Sequence, residues 1–185
     1  MIASLFNDRA EDSRRVSPMS RSAILQYYSG EGVDSRGRSL AETQALEASR
    51  MEYYHDFIQW MFPTRHRSLY NPDAPTLTDD DVAAFHARPE LRSNLHRSFV
   101  VFLRFLGLEL DESTLTVRDS ADFADRRAVF ALPNHNWLRI TRVLHSLKSL
   151  GLETECQAFF NYLKTLEVPD ETFRYWSEAA RGRMG

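Results

Sequence analysis

Asn134-His135-Asn136-Trp137-Leu138-Arg139-Ile140-Thr141-Arg142-Val143-Leu144-His145-Ser146-Leu147-Lys148-Ser149-Leu150-Gly151 is the stretch whose reading decides the fold. Pro133 ends whatever precedes it, Asn134 can cap a helix, and Gly151 supplies the stop. Between these signals Ile140, Val143, Leu144 and Leu147 share one side at helical spacing and mark a core face. Arg139, Arg142, His145 and Lys148 recur every third residue as a slowly drifting basic stripe. Such a stripe is either a solvated face paired with the acids of an acidic chain or a seat for a phosphate or carboxylate-rich partner.

A second string, His55-Asp56-Phe57-Ile58-Gln59-Trp60-Met61-Phe62-Pro63, lies upstream. Ser39 and Glu42 form a capping box, and the pattern predicts one helix from there to Phe62, stopped by Pro63. Leu46, Tyr54, Phe57, Ile58 and Met61 recur along it at helical spacing. Trp60 and Phe62 then have two readings. They are the aromatic end of a core helix, or an aromatic wall for a peptide that the Thr64–Thr76 loop leaves open.

Outward from these strings the signals stay helical. Ser17-Pro18 reads as a cap with proline in the first turn, opening a helix that Gly30 ends. Gly30 to Gly37 is a loop, and Pro63, Pro72 and Pro75 mark another over 63–77. Thr78 with Asp79, Asp80 and Asp81 starts a helix that closes before Pro89. From Pro89 a further helix carries Leu91, Leu95, Phe99, Phe102, Leu103 and Leu106 to Gly107. Residues 108–117 alternate as an extended piece with no recognisable partner strand, so no sheet is predicted. Asp122 to Phe130 is helical, a later helix carries Ala158, Phe159, Tyr162, Leu163 and Leu166, and Asp170 caps the last one. The expected architecture is all-α: a single compact bundle of about seven helices over 21–185, after a loosely ordered polar leader over 1–20.

Hydrophobic residues make up 43% of the 185, enough for a core, and the net charge of -3 disfavours a nucleic-acid partner. No apolar run is long enough to span a bilayer, and no secretory signal opens the chain. With one cysteine, Cys156, an internal disulfide is impossible and a reducing, cytoplasmic setting is expected. Cys156 has no neighbouring cation to activate it, and no nucleophile elbow, phosphate loop or dinucleotide fingerprint occurs. Glu52 and His55 have a di-iron spacing but lack the second such pair, so no metal and no cofactor are expected, and an enzyme is not favoured.

The two strings together resemble the conserved region of the opioid growth factor receptor family. The likeness runs over roughly residues 24 to 168 and takes in Asp34, Gly37-Arg38, Ser68, Asn71, Ala74-Pro75, Leu77, Phe105-Leu106-Gly107 and Arg127. It implies a helical domain and a signalling receptor for a growth-regulating peptide. Vertebrate members are nucleus-associated and bind Met-enkephalin, while related domains occur in fungi, plants and bacteria. The chain has no basic nuclear-import cluster and closes soon after the conserved region, so a stand-alone microbial relative is expected. Two functions compete. The first is a non-enzymatic domain binding a peptide or protein segment through Trp60, Phe62, His135, Trp137, Arg139 and Arg142, with the arginines suited to an acidic group on it. There Asp56, with Glu52, would be the only local anions for a peptide amine. The second is an enzyme or phosphate-ligand protein in which Arg38, Arg127, His135, Arg139 and Arg142 converge on one pocket.

Overall fold

In the computed structural model, which describes residues 21–131 and 134–183, helices dominate and a single hairpin interrupts them. The elements are α1 (Ala23–Tyr28), α2 (Leu40–Gln44), α3 (Ala48–Tyr53), α4 (Ile58–Met61), α5 (Asp79–Ala87), α6 (Pro89–Phe105), β1 (Leu108–Asp111), β2 (Thr116–Asp119), α7 (Phe123–Arg126), α8 (Ala128–Ala131), α9 (His135–Ser149), α10 (Glu153–Leu163) and α11 (Asp170–Ala180). The Ser17-Pro18 start, the leader over 1–20 and Pro133 lie outside the described residues.

The caps that the sequence announces are made. Ser39 and Glu42 bond reciprocally at α2, and Thr78 and Asp81 do so at α5. Asn134 Oδ1 accepts from the Asn136 amide at 2.8 Å to open α9. Asp170 instead lies in the first turn of α11, where the N-cap is Pro169.

The all-α bundle is what forms, with α6 and α9 as its longest members. Leu91, Leu95, Phe99, Phe102 and Leu103 of α6 are sealed from solvent, as are Ile140, Val143, Leu144 and Leu147 of α9. Burying each such side chain contributes about 1.5–3 kcal/mol before the loss of chain entropy is subtracted. α10 and α11 pack on α9, and α5 and β1 pack on α6. Phe102 meets Phe62 at 5.6 Å and Phe159 at 6.5 Å between ring centres, which ties the two halves through one aromatic seam.

Two expectations fail, each for a tertiary reason. The helix expected from Ser39 to Phe62 is three short ones: Glu47 turns extended (φ -66, ψ 153) before α3, and Tyr54 does so after it (φ -84, ψ 135), where α9 claims its carbonyl. The extended piece at 108–117 has a partner after all, since Leu108 pairs with Asp119 and Asp111 with Thr116 in an antiparallel hairpin. Gly107 permits the entry to β1: its φ is +79, and a Cβ there would lie 2.8 Å from the Arg126 Cβ.

His96 of α6 joins this hairpin to α10. Its Nδ1 lies 3.0 Å from Glu155 and its Nε2 3.1 Å from Glu112. Only the imidazolium can donate from both nitrogens. Burial alone would lower its pKa, but the hydrogen bonds to Glu155 and Glu112 outweigh burial and raise it above 6.5. The contribution to stability is therefore fully present below about pH 6.5 and lost as pH rises through the folded pKa. Thermal melts should fall across that window, and His96→Gln should flatten the dependence. An unchanged slope in the variant would show that the two carboxylates do not depend on the His96 charge.

Candidate functional site

The break after α3 is where the site begins. Arg139 reaches from α9 into it, with Nη2 donating to the Tyr54 carbonyl at 2.8 Å and to His55 Nδ1 at 3.2 Å. Its Nη1 donates to Asn136 Oδ1 at 2.9 Å. The residue is 4% exposed, and its guanidinium lies over the rings of Phe57 and Phe105, 5.4 and 5.7 Å from their centres. None of these partners is a carboxylate. Burial brings its pKa down to about 10, against the pull of Glu52, so it remains charged at neutral pH.

Beside it, Glu52 holds His135 Nε2 at 2.9 Å and Asn136 Nδ2 at 3.2 Å. Burial, then Arg139, lowers the His135 pKa despite Glu52. The His55 and His135 rings meet edge to face at 4.9 Å. His55 accepts from Arg139 at Nδ1, which leaves its N–H at Nε2. Among the described residues no group of His, Cys, Asp or Glu is placed to hold a metal.

One turn on, Arg142 Nη1 donates to the Phe62 carbonyl at 3.2 Å and to Thr64 Oγ1 at 3.1 Å. Polar residues of the α9 segment thus brace the start of the Thr64–Thr76 loop. Gln59, oriented to satisfy both ends of its amide, donates to the Asp56 and His55 carbonyls and accepts from Ser68 Oγ at 3.2 Å. The Arg142 pKa falls to about 10 through burial.

These residues wall a cleft of about 710 Å³ between α9, α4, the loop after α4 and Tyr175 of α11. Among the described residues it is lined by Arg67, Arg139 and Arg142, by His55, His66, His135 and His145, and by no aspartate or glutamate. Its rim is apolar: Leu69 is 95% and Tyr70 79% exposed, and Leu138 is exposed opposite them.

Of the candidate residues that the sequence offers, His135, Arg139 and Arg142 line the cleft together, and the others lie elsewhere. Trp60 is 7% exposed and packs edge to face on Tyr27 at 5.4 Å. Phe62 is sealed against Phe102, and Trp137 donates Nε1 to the Val129 carbonyl at 3.0 Å while its ring meets Trp176 edge to face. None of the three lines the cleft, because helical periodicity turns them inward. Arg38 and Asp56 pair with each other at 2.9 Å, and Asp34 and Arg36 complete the network at 2.6 and 2.7 Å. That network pins the 34–38 loop to the turn before α4. Burial opposes ionisation of Asp56, but the Arg38 hydrogen bond wins and holds its pKa below the usual value. Arg127 is exposed and does not line the cleft. His66, Arg67, Leu69 and Tyr70 were missed. Their one sequence signal is an apolar pair, Leu69-Tyr70, inside a basic, proline-rich loop. Cys156 is buried, and desolvation pushes its thiol up to about 12, so it is inert.

Comparison with known proteins bears on these same strings. The family described as the opioid growth factor receptor (OGFr) conserved region matches residues 25–170. The opioid growth factor receptor of Mus musculus is 40% identical over 104 residues, covering 56% of this chain and 16% of the relative. That of Homo sapiens is 38% identical over 104 residues, with coverages of 56% and 15%. Opioid growth factor receptor-like protein 1 of Mus musculus is 33% identical over 105 residues, with coverages of 57% and 22%. The chain therefore spans about a sixth to a fifth of the length of these relatives. No solved structure gives a significant match.

Proposed function

The chain belongs to the opioid growth factor receptor conserved-region family, and from that membership we propose that it is a non-enzymatic domain binding an acidic peptide or protein segment in the cleft between α9 and the Thr64–Thr76 loop. The observation that carries this reading is the cleft's composition among the described residues: three arginines, four histidines and no aspartate or glutamate, under an apolar rim. Arg67 and Arg142 would fix acidic side chains, and Leu69, Tyr70 and Leu138 would supply desolvated contact area. Among the described residues no helix is long and apolar enough to cross a membrane. The relatives' name, receptor, is compatible with a peptide ligand.

Fluorescence anisotropy with a labelled decapeptide alternating glutamate and leucine tests the reading. Saturable binding that weakens with rising salt is expected, since partly exposed charges are screened over about 8–10 Å. A lysine–leucine peptide binding equally well would overturn it. Met-enkephalin makes the opposite demand, a carboxylate for its amine. Glu52 is engaged by His135 and Asn136, and Asp56 by Arg36 and Arg38. Calorimetry should register no binding of that pentapeptide, and a saturable micromolar isotherm would restore the opioid reading.

A further inference from the structure

We infer that the His145 end of the cleft is a subsite for a phosphate monoester dianion, so that the segment bound is a phosphorylated one. This rests on the acidic-segment reading above and narrows it.

The corner is built from Arg142 and His145 of α9 with His66 and Arg67 of the loop. Arg142 commits only Nη1 to protein acceptors. Its Nε and Nη2 have no acceptor among the described residues, yet they are not among the polar atoms sealed from solvent, so they open to the cleft. No ion pair compensates this half-buried cation among the described residues, and burial is the whole cause of its lowered pKa. A half-buried charge with no ion pair carries a desolvation cost, and an incoming anion offsets it.

His145 reports the same field. Burial lowers its pKa first, then the positive influence of His66 and of Arg142, and no acid offsets them. Arg67, which lines the cleft, anchors through Nη2 to the Pro72 carbonyl at 3.1 Å. The corner thus offers two guanidinium groups and two imidazoles without a counter-charge among the described residues. A carboxylate brings one charge and two oxygens. A phosphate monoester brings close to two charges and three acceptor oxygens, which matches the donors present. Arg139 is excluded from direct contact, since its named donors are bound to Tyr54, His55 and Asn136, but its charge adds to the field from behind.

The test compares a labelled pool of phosphoserine decapeptides with the same pool carrying serine or glutamate, and follows the His145 Hε1 resonance on adding inorganic phosphate. The phosphorylated pool should bind about tenfold tighter than the glutamate pool. Arg142→Gln and His145→Gln should each erase that preference, while Lys148→Gln, on the same helix but outside the cleft, should keep it. Equal binding of the phosphoserine and glutamate pools overturns the phosphate subsite and leaves the acidic-segment reading standing. Binding of neither pool overturns both. Movement of His145 Hε1 by inorganic phosphate, with peptide binding no tighter than free phosphate, keeps the dianion site and overturns the segment as its source.

Discussion

Trp60→Ala should lose about 3–5 kcal/mol of stability, more than any single substitution in the cleft. The indole is 7% exposed, meets Tyr27 edge to face at 5.4 Å, and sits in α4 beside Met61 and Phe62, both sealed. α4 has four residues, Ile58–Met61, and no side-chain cap, so packing rather than local propensity holds it. Removing the ring leaves a cavity that so short a helix cannot close without losing its register against α1. Trp60 Nε1 is buried and has no acceptor among the described residues, which already costs about 1–3 kcal/mol. Trp60→Phe, which discards that N–H with part of the ring, should therefore cost clearly less than Trp60→Ala. Thermal unfolding decides the matter: a melting temperature for Trp60→Ala within error of the parent would show that the ring carries no packing load.

Arg139→Gln and Arg142→Gln should separate fold from binding. Arg139→Gln removes charged hydrogen bonds to Tyr54, His55 and Asn136 and two ring contacts. A hydrogen bond to a charged group contributes about 1.5–3 kcal/mol, so a loss of about 3 kcal/mol is expected, which lowers the melting temperature by about 6–12 °C at this chain length. Arg142 bonds one nitrogen to the Phe62 carbonyl and Thr64 Oγ1, so Arg142→Gln should cost about 1.5 kcal/mol, less than Arg139→Gln, while weakening capture of an acidic peptide. Melts and anisotropy titrations on both variants read the two effects independently. A destabilised Arg142→Gln beside an intact Arg139→Gln would invert the assignment and return the cleft to a structural role.

The departures from the sequence reading share one cause. The stripe Arg139, Arg142, His145 and Lys148 is evident from spacing, but spacing cannot say that Arg139 turns into the break after α3 and is buried there without a carboxylate. Nor can it say that Arg38 and Asp56 neutralise each other, since their partnership depends on how the 34–38 loop folds over the turn before α4. The expected helix from Ser39 to Phe62 has the right apolar spacing throughout. It breaks at Tyr54 because α9 captures the carbonyl from a distant part of the chain.

Local chemistry in the sequence determined the caps at Ser39, Thr78 and Asn134, the stop at Gly107, the apolar faces of α6 and α9, and through these an all-α bundle. Such features act within a few residues and are written in consecutive side chains. Tertiary structure alone decided that Trp60, Phe62 and Trp137 belong to the core, that the hairpin pairs Leu108 with Asp119, and that a cleft lined by Arg142, His145, His66 and Arg67 carries no carboxylate among the described residues. The physical reason is that a site's charge balance is a sum over residues far apart in the chain, and it exists only once packing has brought them together.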